Sequence, residues 1–178
     1  MDTRLLAREI GEILQTWFHF PEKKVYCQVA TVREGKPKVR TMDFYRLTED
    51  GRIILMTETS TNKWGDLGRS NEVALCLGHL DFGQIICEGK VELITAENNS
   101  ETASFYWENY LDDYWRRFYL GRPSKDKEMR PPLSFGVICI EPVFWEVLET
   151  NQKDFLKSRR RQFMKNNNTW MVEFAELS

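Results

Sequence analysis

Polar and basic residues stand at the ends of apolar runs between residues 40 and 89. Arg40, Thr57, Thr61, Lys63 and Gln84 all lie in this stretch. Basic side chains and hydroxyl groups at strand ends and at a helix start are suited to phosphate, because they combine positive charge with hydrogen-bond donors. The stretch therefore predicts a site for a phosphorylated ligand. The rest of the chain is expected to form the walls and the partner surface around it.

A short helix is predicted over the segment NKWGDLGRSN, which begins at Asn62. Ser60, Thr61 and Asn62 are all suitable N-terminal caps. Lys63 lies in the first turn, where a cation opposes the helix dipole, so helix stability does not explain its presence. A bound anion would explain it, since the dipole and the free backbone N–H groups of a helix N-terminus attract phosphate. On this segment alone, a lysine that is merely exposed on a surface helix is an equal alternative.

Gln84 opens the predicted strand QIICEGKVELI. Its amide could bond the carbonyl groups and ring nitrogens of a ligand, or it could simply satisfy a strand edge, which is the commoner use. His19 and His79 each stand alone, and a lone histidine is more often structural than catalytic. The sequence therefore identifies no catalytic residue.

The four cysteines do not have the spacing of a zinc site or a redox pair, so no metal site is predicted. They are expected to be buried free thiols. They are Cys27, Cys76, Cys87 and Cys139.

Length and charge limit the classes of protein that remain. The 178 residues predict a single domain, 1–178, and the 13% of aromatic residues suggest a large core together with a subunit interface. A net charge of -2 provides no excess positive charge with which to bind the phosphates of a nucleic acid. No apolar run approaches the roughly 20 residues that span a bilayer, and no secretory leader opens the chain. A cytoplasmic protein with neither nucleic-acid nor membrane partners is expected.

Hydrophobic periodicity predicts a mainly β chain with helices between some of the strands. Residues 3–18 carry one apolar stripe at helical spacing. The segments KVYCQVATV, KVRTMDFYRL and RIILMTE are joined by tight turns, which favours an antiparallel meander. Further strands are VALCLG, QIICEGKVELI, FGVICIEP and VFWEVLE, with a bend at Pro142, and the final TWMVEFAEL. At least six strands with this arrangement indicate an antiparallel barrel with helical additions.

Two segments have more than one possible structural interpretation. Residues 98–119 form the longest helical stretch, with aromatic side chains over most of one face. The stretch would be a lid or a subunit contact, or a helix packed on the barrel, and packing on the barrel is favoured. The polar segment SKDKEMRPP predicts a loop within residues 122–132, with its mobility left open.

Several short motifs, in order, resemble those of the pyridoxamine 5'-phosphate oxidase-like flavoproteins, the FMN-binding split barrels. Residues 38–42 are similar to the family strand that contacts the flavin and its phosphate, and Thr61-Asn62-Lys63 is similar to its Ser-Arg-Lys phosphate signature. Asn62 stands where that signature has an arginine. Residues 83–89 resemble a strand with a flavin-facing glutamine, and residues 143–145 resemble a Glu-Phe-Trp motif. The likeness covers nearly the whole chain.

This resemblance implies an antiparallel split β-barrel with flanking helices, a bound FMN, and a homodimer with the flavin between its subunits. The positions that would bind the cofactor are Arg40, Thr41, Met42, Met56, Thr57, Thr61, Asn62, Lys63, Gln84, Trp145 and Arg160. The first hypothesis is an oxidoreductase acting on an unknown small molecule, with its redox chemistry supplied by the flavin. The alternative is a split barrel that binds a flavin or haem without turnover. A dimer with no ligand is a third and weaker hypothesis.

The resemblance departs from the family at the substrate. True oxidases of the family carry an Arg-Leu-His-Asp-Arg segment before the last hairpin, and counting back from Trp170 places it on residues 156–160. Arg160 keeps the flavin-side arginine, whereas Leu156 and Ser158 replace the arginine and histidine that hold the substrate. Leucine cannot supply the bidentate recognition of an anion. The chain is therefore not expected to be a vitamin B6 oxidase.

Overall fold

The structure is a computed structural model that describes residues 1–121, 130–167 and 169–175. These residues form nine antiparallel strands and four α-helices. The helices are α1 (Thr3–Phe18), α2 (Asn62–Arg69), α3 (Ser100–Tyr110) and α4 (Asp113–Leu120), with a 3-10 turn at Phe155–Lys157. The strands are β1 (Val25–Arg33), β2 (Lys36–Phe44), β3 (Arg46–Leu47), β4 (Ile53–Glu58), β5 (Glu72–His79), β6 (Gly83–Ile94), β7 (Phe135–Glu149), β8 (Arg159–Asn166) and β9 (Thr169–Ala175). The prediction of a mainly β, antiparallel chain with flanking helices is confirmed.

The sheet curls because β7 is long enough to serve two different neighbours. The strand order is β2-β1-β5-β6-β7-β4-β3, with β8 added to β7 and β9 added to β8. The first half of β7 pairs with β4, and its second half pairs with β8, while β6 runs along the opposite edge. A strand that changes partner along its length turns a flat sheet into a half-barrel.

The predicted meander of the first three strands is confirmed at its first hairpin and only in part at its second, which is short. β1 and β2 pair over their whole length, as predicted. The third segment bonds to the second only through the two residues of β3, and β4 then pairs along its length with β7. The turn chemistry at residues 48–51 specified a local hairpin, but pairing with a strand some 80 residues away was not visible in the local pattern.

The predicted bend at Pro142 is replaced by a bulge inside one continuous strand. The register between β6 and β7 shifts at this point, because Glu88 pairs with Phe144 and Gly89 pairs with Pro142, leaving Val143 as the extra residue. A bulge accommodates a proline, which has no N–H to donate. A Cβ on Gly89 would lie 2.6 Å from the carbonyl oxygen of Glu141, so the close approach requires glycine here.

The inner face of the sheet is covered by α1. Its buried stripe, Leu6, Ile10, Leu14 and Trp17, packs against side chains from β1, β4, β5, β6 and β7 in the main core. Asp2 caps the helix by accepting a hydrogen bond from the backbone N–H of Leu5 at 2.9 Å. The predicted helix over residues 3–18 is confirmed with both of its bounds.

The outer face is covered over only part of its area. Ala103, Tyr106 and Trp107 of α3 pack in a second core against Met56 of β4 and neighbouring side chains of β7. The helix predicted over 98–119 is two helices, because Leu111 is extended and Asp112 caps α4 by accepting from the N–H of Trp115. α3 is packed on the barrel, whereas α4 buries none of its side chains.

The predicted loop within 122–132 lies largely outside the described residues, as does the end of the last predicted strand. Cys27, Cys87 and Cys139 are buried free thiols, but Cys76 is half-buried because it lies on the uncovered part of the outer face. Neither a membrane-spanning helix nor a cluster of metal-ligating side chains occurs among the described residues.

Candidate functional site

The N-terminus of α2 leaves two backbone donors free. Thr61 occupies the N-cap position, but its hydroxyl donates to the carbonyl oxygen of Glu58 at 2.8 Å and does not cap the helix. Within the described parts of the chain, the backbone N–H groups of Asn62 and Lys63 have no acceptor. Unsatisfied donors at the positive end of a helix dipole are the arrangement that binds an anion.

Two cations face this helix start. Lys63 forms no ion pair with any residue that the structure describes. Partial burial lowers the pKa of its ammonium, and repulsion from Arg40 lowers it further, so the two cations lie close enough to interact. Burial likewise lowers the pKa of Arg40. Two partly desolvated like charges side by side would be stabilised by an anion between them.

Two hydroxyl groups complete this side of the site. Thr57, at the end of β4, is buried, and its Oγ1 lies 3.5 Å from that of Thr61. Four of the predicted binding residues, Arg40, Thr57, Thr61 and Lys63, are thereby brought to one region by β2, β4 and α2. Asn62 is exposed in the same helical turn. We call this group the cationic cluster.

A buried carboxylate, Asp66, holds the cationic cluster in place. Arg33 donates to it through Nε at 2.7 Å and Nη2 at 3.0 Å, and Arg69 donates at 3.0 Å. The guanidinium of Arg40 lies 3.6 Å away and is anchored to β1 by hydrogen bonds to Val29 O and Thr31 Oγ1. Asp66 thus connects α2 with β1 and β2, which fixes Arg40 beside the start of α2.

Protonation of Asp66 at low pH should weaken its interactions with the surrounding arginines. The hydrogen bonds from Arg33, together with those from Thr31 and Arg69, hold the pKa of Asp66 at about 2, below its ordinary 3.8. Its contribution to stability is therefore complete above about pH 4 and is lost as the pH falls through 2. Asp66→Asn should melt several degrees below the wild type at pH 6, and the gap should narrow as both are titrated toward pH 2. A gap that stays constant over this range would contradict the assignment.

A glycine positions α2 on the sheet. Gly136 of β7 pairs with Thr57 of β4, and the ring of Trp64 lies directly over it. A Cβ at Gly136 would clash with that ring and would lie 3.0 Å from the Cγ2 of Thr59. Only glycine leaves room for the Trp64 ring to pack this closely on β7, and this packing brings the first turn of α2 beside the end of β4.

Gly136→Ala should therefore destabilise the protein by about 1–3 kcal/mol, the usual cost of overpacking a closely packed site. The measurement is urea unfolding followed by tryptophan fluorescence. Gly78→Ala is the matched control, because Gly78 also lies in a strand but has open space where its Cβ would be. Equal effects from the two substitutions would show that backbone entropy, and not the contact with Trp64, accounts for the loss.

The other predicted binding residues lie elsewhere. Met42 and Trp145 are buried in the main core, and Met56 is buried beneath α3. Thr41 is exposed on β2, where its pairing with Gln28 places it on the outer face. Contact of these side chains with a ligand stays a prediction.

Gln84 and Arg160 lie on the outer face, opposite to Arg40. Arg40 aligns across the strands with Val29, Leu75 and Cys87, which are inner-face residues, whereas Gln84 aligns with Leu148 and then Arg160. Three strand spacings and three residues along β6 separate Arg40 from Gln84, on the order of 15 Å. One chain therefore presents its candidate ligands in two groups on opposite faces of the sheet, and we call these two groups the candidate half-sites.

Arg160 is incompletely bonded. Its Nε is buried and has no hydrogen-bond partner among the described residues, although Glu146 Oε1 lies 3.8 Å away. Glu146 is itself buried and accepts from Gln162 Nε2 at 2.8 Å. The Nε of Arg161 is likewise buried without a hydrogen bond among the described residues, so two neighbouring guanidinium groups of β8 are incompletely bonded.

The two histidines make contacts outside the cationic cluster. His19 ends α1 in a left-handed conformation, and His79 packs against Phe18 and Phe82 while accepting from the N–H of Asp81. Leu156 is 84% exposed in the 3-10 turn, and the hydroxyl of Ser158 accepts from the N–H of Asn151. A structural role for the two histidines stays a prediction, consistent with these contacts.

Sequence reasoning missed Arg33 and Asp66. Arg33 stands at the end of β1 in a run that indicates only a turn, and Asp66 lies within a short amphipathic helix where a carboxylate is ordinarily exposed. The positive residues that surround Asp66 come from separate elements. No local signal could have revealed the connection.

The comparisons with known proteins agree on one group. The family model described as pyridoxamine 5'-phosphate oxidase matches residues 13–148. A pyridoxamine 5'-phosphate oxidase-related, FMN-binding protein from Nostoc punctiforme has a similar structure, with a TM-score of 0.78, 21% identity and coverage of 96% of each chain. PhzG from Burkholderia lata, solved with tetrahydrophenazine-1-carboxylic acid, has a TM-score of 0.74 at 15% identity over 99% of this chain and 94% of its own. A search of curated proteins returns no match. The predicted antiparallel split barrel is confirmed.

Proposed function

Because the chain belongs to the pyridoxamine 5'-phosphate oxidase family, we propose that it is an FMN-dependent oxidoreductase whose flavin is bound between two copies of the chain. The observation that carries the proposal is the cationic cluster. Its free N–H groups, the unpaired Lys63 and the anchored Arg40 match the needs of a phosphate monoester. Such a group accepts several charge-assisted hydrogen bonds at once.

The second half-site supports a dimer. Gln84 and Arg160 lie on the face opposite to Arg40, so one flavin reaches both half-sites only if a second chain supplies one of them. In a twofold dimer each chain gives its cationic cluster to one flavin and its Gln84 and Arg160 to the other. The Arg160 side chain is 24% exposed, so the accessible part of its guanidinium would donate to a flavin oxygen.

The uncovered part of the outer face is suited to this contact. α3 covers the outer face at β4, at the first half of β7 and at Ile94 at the end of β6, but no helix among the described residues packs on the outer-facing residues of β1, β5 and the rest of β6. Several are small or apolar, and they lie in adjacent strands: Ala30, Ala74, Cys76 and Ile86. Exposed apolar patches on a sheet typically mark protein interfaces.

FMN, when bound, would supply hydride and electron transfer, so the chain needs only to hold and orient it. Lys63, Arg40 and the start of α2 would hold the phosphate, Gln84 would bond the isoalloxazine ring, and Arg160 would contact its polar edge. We also propose that Trp145, which lies on the inner face of the sheet, packs near the isoalloxazine ring. His79 is one register position from Gln84, but its ring packs against Phe18 and Phe82 on the inner face, so the described residues offer no histidine side chain at either half-site as a proton donor.

The substrate is proposed not to be pyridoxamine phosphate. Leu156 and Ser158 occupy the positions at which the family's substrate-binding arginine and histidine are expected. Leu156 is 84% exposed beside the exposed Phe155, so an apolar surface stands where an anion would need a guanidinium. The substrate recognised there is expected to be uncharged at that end.

The absorption spectrum of the purified protein tests the proposal most directly. A yellow protein with flavin bands, which releases a chromophore with the mass of FMN on denaturation, is the expected result. A colourless protein whose melting temperature does not change with added FMN would overturn it, since a bound ligand stabilises the folded state.

A second candidate is a split barrel that binds flavin without turnover. It is favoured by the absence of a histidine at either half-site among the described residues. Mixing the yellow protein with NADH or NADPH separates the two, because an oxidoreductase is bleached and recovers its colour in air. A flavin that no nicotinamide donor reduces would favour binding alone, with haem as the alternative chromophore if the released mass is not that of FMN.

A further inference from the structure

A cleft of about 750 Å³ lies between α1 and the segment around β3. It is distinct from both half-sites. Arg46, on its wall, is six residues along the chain from Arg40, roughly 20 Å in extended chain. The lining residues are Arg4, Ala7, Arg8, Gly11, Leu14, Gln15, Phe20, Pro21, Tyr45, Arg46, Leu47, Thr48, Glu49 and Tyr110. Its volume is that of a typical site for a small organic molecule.

The floor of the cleft is apolar and partly aromatic. Leu14 and Ala7 contribute from α1, and Phe20, Tyr45 and Tyr110 contribute aromatic rings. Gly11 keeps the α1 side open, since a Cβ there would have no atom within 4 Å. Glycine costs an α-helix stability relative to alanine, so its presence is not explained by the helix itself.

The rim carries three arginines. Arg4 and Arg8 are one helical turn apart on α1, where like charges are mutually unfavourable. Arg46 lies over the rings of Phe105 and Tyr110, each at 5.8 Å, which holds its guanidinium in place. None of the three forms an ion pair within the described ranges, and Glu49 is the single acid among the described lining residues.

We propose that this cleft binds a small organic anion with a planar apolar body and one carboxylate. The apolar floor would bury the body, and the arginine rim would bind the carboxylate through bidentate, charge-assisted hydrogen bonds. The excess of three positive charges over one negative charge around the cleft selects an anion over a neutral or cationic ligand.

The test uses 1-naphthoate, with 1-naphthamide as its neutral counterpart, in calorimetric titrations of the full chain. The naphthoate should bind about tenfold more tightly than the amide, as expected for a hydrogen-bonded charge. Arg4→Gln with Arg8→Gln should remove that advantage while leaving amide binding unchanged. Gly11→Leu should weaken binding of both at least tenfold, because a Cβ at this position has open space and the rest of the leucine side chain would project into the cleft.

Lys36→Gln with Lys153→Gln is the matched control, because it removes two exposed positive charges outside the cleft. It should bind naphthoate like the wild type and melt at the wild-type temperature, whereas Gly11→Leu and the double arginine variant should melt at or slightly above that temperature. Equal affinity for naphthoate and naphthamide, unchanged naphthoate binding in Gly11→Leu, or no binding at all would overturn the proposal. So would a loss of naphthoate binding in the control as large as in the double arginine variant.

Discussion

Lys63→Ala should weaken FMN binding about 10- to 100-fold, because it removes a charge-assisted hydrogen bond to the phosphate worth about 1.5–3 kcal/mol. The fold should be unaffected, since Lys63 makes no ion pair with the described residues and its present neighbour Arg40 repels it. The measurement is the dissociation constant from flavin fluorescence quenching on titrating apoprotein into FMN. The melting temperature without flavin should stay at the wild-type value or rise slightly.

Lys153→Ala provides the control for this prediction, because Lys153 is an exposed lysine outside the cationic cluster. Adding Arg40→Ala to Lys63→Ala should abolish flavin retention, with some loss of stability because Arg40 also bonds Val29 O and Thr31 Oγ1. A double variant that remains yellow would show that the phosphate is bound elsewhere.

Ile86→Arg should convert the protein to a monomer that retains no flavin. Ile86 lies on the uncovered part of the outer face, between Cys76 of β5 and Glu146 of β7, so an arginine there places a charge in the centre of the proposed interface. Burying a guanidinium carries a desolvation cost even beside the carboxylate of Glu146, and its longer side chain would prevent close packing of the two chains. Mass from light scattering and the flavin-to-protein absorbance ratio should fall together.

Leu5→Arg is the control, because Leu5 is an exposed apolar residue of α1 away from that face. A sharper test of the shared site is complementation. Lys63→Ala and Arg160→Ala should each retain little flavin as homodimers, but a heterodimer of the two has one site with all its ligands intact and should recover about half the wild-type flavin. No recovery in isolated heterodimers would mean that both half-sites serve the same flavin from one chain.

The local elements followed from periodicity and from the chemistry of caps and turns. The apolar stripe of residues 3–18 and the cap at Asp2 specify α1, and alternating apolar residues specify most strands. The split of residues 98–119 at Asp112 was missed, because aromatic side chains continue on both sides of the break. A capping aspartate between two helical segments was the available signal.

Residue type and spacing marked Arg40, Thr61 and Lys63 as candidate phosphate ligands, since a cation in the first turn opposes the helix dipole, although an exposed surface lysine was an equal alternative on that segment alone. The anchor at Asp66 was not predictable, because its partners Arg33 and Arg40 come from other strands.

The chain's own pattern was sufficient for α1, for α2, for most of the strands and for the kinds of side chain that suit a phosphate. Long-range packing determined the pairing of β4 with β7 and the close contact of Trp64 with Gly136. It also placed Gln84 and Arg160 on the face of the sheet opposite to Arg40. The physical reason is that local sequence governs backbone preferences over a few residues. The face on which a side chain emerges depends on strand order and register across the whole molecule.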